Sequence, residues 1–571
     1  MEKIICTKKN STKKKLHLGM WAVDNKELFN KKTEFNTYQY HWDNPKKLDI
    51  DYKYLEKFTY KTTKKLAQLL NKVHKKKFSL KYWEFLLFPW VIANNSILYD
   101  RWESITTVNI KKKFFYIDSN NFNNSYIQDY NHLINLSQRN DWNEELYFKI
   151  IKFNKLKYKL VNKKNLVNKI FYVEKNRFFK RGIFTIIKFF LSIILSFKNH
   201  KKKLFLNTQY NFLIFKKYFD TKKIDFGFKY LEKINNFFID TYEEPEKRLI
   251  FTNLTEKNLN YKKGFEKFFW KNISNYLPKT YLENFNFLHS KAIKRKNYDK
   301  IYTSFSHFND LSDKFYIAGH INKKKKIYLF EHGGSLPAFK ELFYFEEKLF
   351  NCKYTFYNPI KKNQKLIDLN PYYIKFNSSP KEQGKYCCIF CGETPMWNYR
   401  VQFYATSSQS LKTYELTSNI IQNLSTKVRD KTLIKIKKIS NGFNFKKHYE
   451  NKFGKKIIYN KMDTKKFILN AKFLILTYPE TTLIEAVISK KPFIIVYHKK
   501  FYKRHNSVNS VLSKMKECKI LFEDPIKAAN HLNANWENPN IWFESKKVQL
   551  TISLLKKKFF PQKLLEKKID L

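Results

Sequence analysis

A chain of 571 residues, 43% apolar and 18% aromatic, carries enough core material for two or three domains, which excludes a disordered protein despite 28% charged residues. The formal net charge of +61 directs attention to anionic partners: nucleic acid, anionic lipid or a phosphorylated substrate. The lysines run the length of the chain, and Lys, Asn, Ile, Phe and Tyr are over-used together, so the favoured reading of the charge is AT-rich codon drift rather than one basic patch.

In chain order, residues 1–19 lack the apolar stretch of a signal peptide. Residues 52–74 place Leu55, Phe58, Leu66, Leu69, Leu70 and Val73 at helical spacings. Residues 79–102 read as a second, largely buried helix that Pro89 kinks or interrupts. Residues 106–290 are rich in Lys, Asn and Phe and read as mostly helical. Within them, 182–197 (GIFTIIKFFLSIILSF) is the longest apolar run. It is short for a membrane span and contains Lys188, so a buried helix is favoured over an interfacial one.

From about residue 298 the texture changes. "DKIYTSFS", "KKIYLFEHGG", "GKYCCIFCG", "KTLIKIK", "AKFLILT" and "KPFIIVY" read as short strands alternating with helices, the pattern of a parallel sheet. "KFLILTYPETTLIEAVISKKPFIIVY" has the size of a minimal strand–helix–strand unit. Cys387, Cys388 and Cys391 lie in a buried-strand pattern without zinc spacing. Nothing suggests a disulfide framework among the six cysteines, so a reducing cytoplasm is expected.

Ligands of open α/β sheets sit at the carboxyl ends of the strands, and three segments occupy that position. In "KKIYLFEHGG", an apolar strand delivers Glu331 and His332 to the edge, and Gly333 and Gly334 allow a sharp turn or a close ligand. Either a general base or a structural histidine fits His332. In "LTYPETTLIEA", Thr481 or Thr482 caps a helix whose N-terminus suits phosphate, and Glu485 stands one turn in, within reach of ribose hydroxyls. A plain helix cap explains the same residues. In "YRVQFYATSSQ", Arg400 offers a fork for phosphate, beside Ser407, Ser408 and Gln409. A surface loop is the alternative.

The ordered series "YHWDNPKKLDIDYKYLEK", "SLKYWEFLLFPWV…SILYDRW", "EHGG…FEE", "YRVQFYATSSQ", "LTYPETTLIEAVISKKPFIIVY" and "WENPNIWFES" resembles a family of bacterial transferases linked to surface-carbohydrate biosynthesis, over about residues 16–545. The resemblance implies an α/β, GT-B-like fold: two Rossmann-like domains facing a cleft, with a helix-rich N-terminal portion. It implies boundaries at 1–378 for an acceptor-side domain with a helical insertion (about 106–290), 379–545 for a donor-binding domain, and 546–571 for a basic tail or helix. The histidine–glycine pair also resembles that of the CDP-glycerol glycerophosphotransferases. By that likeness His332 is the catalytic base, and Glu346, with Glu347, matches a downstream acidic pair. Thr481, Thr482 and Glu485 match the donor segment, with Arg400, Ser408, Gln409 and Lys435 beside it. Lys435 stands where the family commonly has arginine. His41 and Asp43 fall on the acceptor side.

The expected activity is metal-independent glycosyltransferase-like transfer of a sugar or polyol-phosphate group. The donor would be nucleotide-activated, a nucleotide-sugar or CDP-polyol, and the acceptor a surface glycan or its lipid-linked precursor. No cofactor, no metal and no specific nucleic acid are expected. The location expected is the cytoplasm, peripheral to the inner face of an anionic membrane. A basic nucleic-acid or membrane-surface binding protein, and a degenerate transferase-fold scaffold, are the alternatives.

Overall fold

The computed structural model describes residues 2–8, 16–29, 35–118, 126–161, 203–206, 224–225, 243–258, 264–309, 311–331, 345–355, 358–359, 362–366, 384–401, 404–436, 440, 442–460, 463–477, 480–502 and 508–559. The apolar run 182–197 and the residues His332, Gly333 and Gly334 lie outside the described residues.

Three parallel sheets follow one another along the chain. The first contains β1 (Glu2–Ile5), β2 (Leu16–His17), β3 (Lys113–Asp118) and β4 (Tyr158–Val161), in the order β2-β1-β3-β4. The second contains β5 (Lys203–Leu206), β6 (Ile224–Asp225), β7 (Lys300–Thr303), β8 (Lys326–Phe330), β9 (Cys352–Thr355) and β10 (Gln364–Leu366), in the order β10-β9-β8-β7-β5-β6. The third contains β11 (Tyr386–Phe390), β12 (Thr432–Lys435), β13 (Ala471–Leu476), β14 (Phe493–Val496) and β15 (Leu521–Phe522), in the order β12-β11-β13-β14-β15. In each sheet the opening strand lies inside, its successor pairs on one side, and the later strands build out on the other. The winding therefore reverses between β1 and β3, between β5 and β7, and between β11 and β13. Such a reversal opens a crevice at the carboxyl ends of the strands.

The strands expected from residue 298 onward are present, and the inner ones are buried on both faces, as helix-covered parallel strands are. The first sheet is a departure from a merely helix-rich N-terminal portion. Its strands are two to six residues long and interrupted by charge, as in "EKII" and "KFFYID", so no apolar alternation marks them. Residues 106–290 likewise contribute β3 to β6 as well as helices.

Two long helices join the units. Helix Pro45–Val73 opens with Asn44, whose Oδ1 accepts from the backbone N–H of Lys46 (3.0 Å) and Lys47 (3.3 Å), and with Pro45 in the first turn. Helix Leu80–Thr106 opens on Ser79 and runs through Pro89 as one helix. Burial of 21 of its 27 residues outweighs the one backbone hydrogen bond that proline removes. Its N-terminal half meets the second unit. Trp83 stacks on Phe285, Phe85 and Phe88 reach Phe350 and Phe345, and Tyr281 Oη donates to the Leu86 carbonyl at 2.8 Å. Its C-terminal half meets the first and third units. Arg101 Nε donates to Asn143 Oδ1 at 2.8 Å, Arg101 Nη1 donates to the Asn398 carbonyl, and the guanidinium lies over the Trp397 ring.

The segment after β11 docks on the first unit. Trp397 is buried against Trp21, Tyr147 and Arg101, a burial worth about 2–3 kcal/mol. Gln138 Nε2 donates to the Trp397 carbonyl (2.9 Å), and Trp397 Nε1 donates to Asn140 Oδ1 (3.2 Å). Lys8 and Asn25, beyond β1, both donate to the Gly442 carbonyl (3.2 and 2.9 Å). Gly442 has φ +118°, and a Cβ there would stand 2.6 Å from Met396 Cβ, so only glycine fits. The expected C-terminal tail or helix begins as helix Lys546–Phe559. Among the described residues, no helix is long and apolar enough to cross a membrane.

Candidate functional site

The carboxyl ends of β11 and β13 are joined by Thr477, whose N–H and Oγ1 both donate to the Phe390 carbonyl (3.1 and 2.9 Å). Two helices begin near this edge. One, Phe445–Phe453, has its N-terminus filled. Glu393 accepts from the backbone N–H of Phe443 (3.1 Å), Asn444 (3.2 Å) and Phe445 (3.1 Å), and from Ser440 Oγ (3.0 Å). The other, Thr481–Ser489, has Glu480 in the cap position and no side-chain cap. This corrects the expectation that Thr481 or Thr482 caps it: both threonines lie inside the first turn, half-buried. A helix N-terminus presents a positive end that suits an anion. Glu485 is buried in the next turn.

Arg400 is linked to this cap position through Tyr404. Its Nη2 donates to Tyr404 Oη at 3.4 Å, and its guanidinium approaches the Tyr399 ring. Burial pushes the Tyr404 hydroxyl up to about 12, with Arg400 lowering it and Glu480 raising it, which puts all three groups in one electrostatic neighbourhood. Burial likewise raises Tyr502, with Glu480 and Tyr404 adding to it. From the first unit, Tyr130 is raised by burial and then by Tyr399, with Arg400 opposing. Lys435 ends β12, its ammonium 5.2 Å from the Tyr459 ring and 5.8 Å from Phe467.

Other residues singled out in this region belong to a tie between units. Gln409 Nε2 donates to the Trp42 carbonyl and to Asp43 Oδ1, both at 3.0 Å, and its Oε1 accepts from Thr406 N–H at 3.1 Å. Both of its amide hydrogens are thereby used within the protein. Ser408 is half-buried in the same short turn, Ser407–Gln409. Burial holds the Asp43 carboxyl above the ordinary carboxylate value, against the Gln409 hydrogen bond and Lys500. His41 is held neutral: burial, then Lys47 and Arg101, push it well below the usual imidazole range. Its Nε2 stands 3.5 Å from Asp100 Oδ1, a contact of an uncharged ring rather than an ion pair.

The edge of the second sheet carries a different set. Glu346, buried, accepts from Lys353 Nζ at 2.8 Å and pairs with His307 Nε2 at 3.0 Å. Lys353 Nζ also lies 3.0 Å from Glu331 Oε2, and the four side chains are at most 3% exposed. Glu331 is the residue before His332, so the quartet anchors the point where the histidine–glycine–glycine segment leaves β8. Glu347, beside Glu346, accepts from Gln364 Nε2 at 2.9 Å. The rings of Tyr130 and Phe308 lie 6.4 Å apart, so Tyr130 stands between this edge and Arg400.

The structure thus groups Arg400 with Tyr404 and, through it, Glu480, and Asp43 with Gln409, while Glu346 belongs to a buried set. Glu393, Tyr404, Tyr130, His307 and Lys353 were not among the expected site residues. Of these only His307 has a readable signal, since it follows β7 as His332 follows β8. Among the described residues, no three His, Cys, Asp or Glu side chains are arranged to hold a metal ion.

A family model described as LIC12162 family transferase matches residues 4–564. No curated protein matches the chain.

Proposed function

We propose that this chain, which belongs to the LIC12162 transferase family, moves a sugar or polyol-phosphate group from a nucleotide-activated donor to a surface glycan or its lipid-linked precursor. In this reading the second and third units are the two facing halves of a GT-B-like arrangement. The observation that supports it is the helix N-terminus at Thr481, whose cap residue Glu480 makes no side-chain capping bond and shares Tyr404 with Arg400, at the winding reversal of the third sheet. Backbone N–H groups and a guanidinium fork there suit the phosphates of a nucleoside diphosphate. Lys435 adds charge from β12, Ser408 a hydroxyl, and Glu485 is the group for ribose hydroxyls. Gln409 is left out, because its amide is already engaged.

In the transfer, the acceptor hydroxyl oxygen forms the new bond to the transferred group, and the bond from that group to the donor phosphate breaks. The acceptor proton passes to His332, and Glu331, Lys353, Glu346 and His307 act as positioning residues at the end of β8, where that segment begins. The leaving nucleotide takes the electron pair, and the helix N-terminus with Arg400 and Lys435 stabilises its charge. Gly333 and Gly334 leave room for the substrate beside the base.

Thermal melts against CDP-, UDP-, GDP- and CMP-linked donors test this. A donor at 100 times its Kd should stabilise by about 2.7 kcal/mol. We expect a shift with one nucleotide class, lost in Arg400→Ala and kept in His332→Ala, with transfer abolished in the latter. A cooperatively melting protein that shifts with no donor would remove the donor site.

A further inference from the structure

The last described helix, Lys546–Phe559, is amphipathic in an unusual sense. Val548, Thr551, Ile552 and Leu555 are buried in the third unit, and Cys518 Sγ meets Thr551 Oγ1 at 3.2 Å. The helix is also held at its far end, where Asn358 Nδ2 donates to the carbonyls of Lys557 (2.9 Å) and Lys558 (3.2 Å). It is therefore a fixed part of the surface. Its outward arc carries two leucines one turn apart, Leu550 (57% exposed) and Leu554 (38% exposed). At 100° per residue, Lys546 and Lys557 flank them on one side and Lys547 and Lys558 on the other, all four exposed. The helix contains no acidic residue. Lys490 stands close as well: burial, and then Lys490, lower the Lys556 ammonium.

We propose that this face docks on an anionic lipid surface, Leu550 and Leu554 entering the headgroup boundary and the surrounding lysines meeting the lipid charge. Exposed leucines inside a ring of lysines match an interface that is anionic outside and apolar beneath. A nucleic-acid backbone would match the lysines and leave the leucines without a partner. The inference goes beyond the donor-site reading and is independent of it, since no residue is shared. Docking would bring the chain to any acceptor that is lipid-linked.

Co-sedimentation of the full chain with phosphatidylcholine vesicles, with and without phosphatidylserine, is the test. Binding is expected only with the anionic lipid. Leu550→Ser/Leu554→Ser keeps the charge and should weaken binding at least about tenfold. Each of Lys547→Gln and Lys557→Gln should weaken it about fivefold. Leu249→Ser/Ile250→Ser, exposed on another helix, Glu246–Asn258, should leave binding unchanged. Full binding by the Leu550/Leu554 variant would overturn the proposal and leave only the general field of the chain. So would an RNA oligomer that displaces the protein from vesicles and binds that variant as tightly as the parent.

Discussion

The buried quartet at the end of β8 supports a quantitative test through Lys353→Met. Methionine keeps the length and most of the volume of lysine, so little cavity is created and the loss is electrostatic. Lys353 Nζ is 2.8 Å from Glu346 Oε2 and 3.0 Å from Glu331 Oε2, and all three side chains are at most 3% exposed. Removing the shared cation leaves two carboxylates buried together. Breaking a buried pair costs about 3–5 kcal/mol, and His307 at 3.0 Å from Glu346 Oε1 keeps the expected value near the lower end, about 3 kcal/mol. Urea unfolding followed by tryptophan fluorescence measures it. Glu331→Gln in the Lys353→Met background should recover part of it. A loss under about 0.5 kcal/mol, or no recovery on adding Glu331→Gln, would refute the argument.

Lys314 donates to Tyr281 Oη at 3.1 Å, and burial pushes its ammonium down to about 7 from 10.5, with Asp129 opposing. The unfolded chain holds that proton to higher pH. The cost of Lys314 is therefore full below about 7 and fades as pH rises towards 10.5. Lys314→Met should raise the urea midpoint at neutral pH, by at most roughly 4 kcal/mol, with the gain gone at strongly alkaline pH. Arg400→Lys keeps the charge and loses the fork, so nucleotide-donor affinity read by calorimetry should fall about tenfold with the melting temperature little changed. Gly442→Ala forces a Cβ to within 2.6 Å of Met396 Cβ at φ +118° and disturbs the carbonyl that Lys8 and Asn25 share. It should cost about 2 kcal/mol or more and speed proteolysis between the first and third units.

Local signals were readable where they were strong. The apolar runs Ile327 to Phe330, Cys387 to Phe390 and Phe473 to Leu476 lie in β8, β11 and β13. The first sheet was not readable, since β1 pairs with β3 more than a hundred residues away and β1 and β2 carry no apolar run beyond Ile4 and Ile5, although β3 has one in Phe114 to Ile117. Pro89 argued for a break, but packing on all sides of helix Leu80–Thr106 prevailed. At the site, the helix N-terminus was legible to within a residue, though Glu480 occupies the cap. Gln409 and Asp43 were both visible as polar residues in motifs. Their bond joins positions 366 apart, which no local pattern reports. His307 and Glu346 are 39 apart and meet only because β7 and β8 are adjacent strands.

Each of the three sheets reverses its winding, and the distinctive N-terminal motifs tie the resulting edges together. Three sheets reverse in the same way, so three crevices open at strand ends. The first is taken up by the protein itself: Lys8 and Asn25 reach the Gly442 carbonyl, and Thr7 Oγ1 and the Asp118 N–H both turn to Glu144. Its role is to hold the third unit. In the proposed reading the second-sheet and third-sheet edges are the ones that meet substrate, and their spacing is set by whatever connects their units. Helix Leu80–Thr106 does this, with Trp83 to Trp90 on the second unit and Ser96 to Arg101 against Asn398 and Val401 of the third. The motif "YWEFLLFPWV…SILYDRW" is therefore a ruler between the two edges, and its buried polar residues Asp100 and Arg101 fix the register of that ruler rather than touch a ligand.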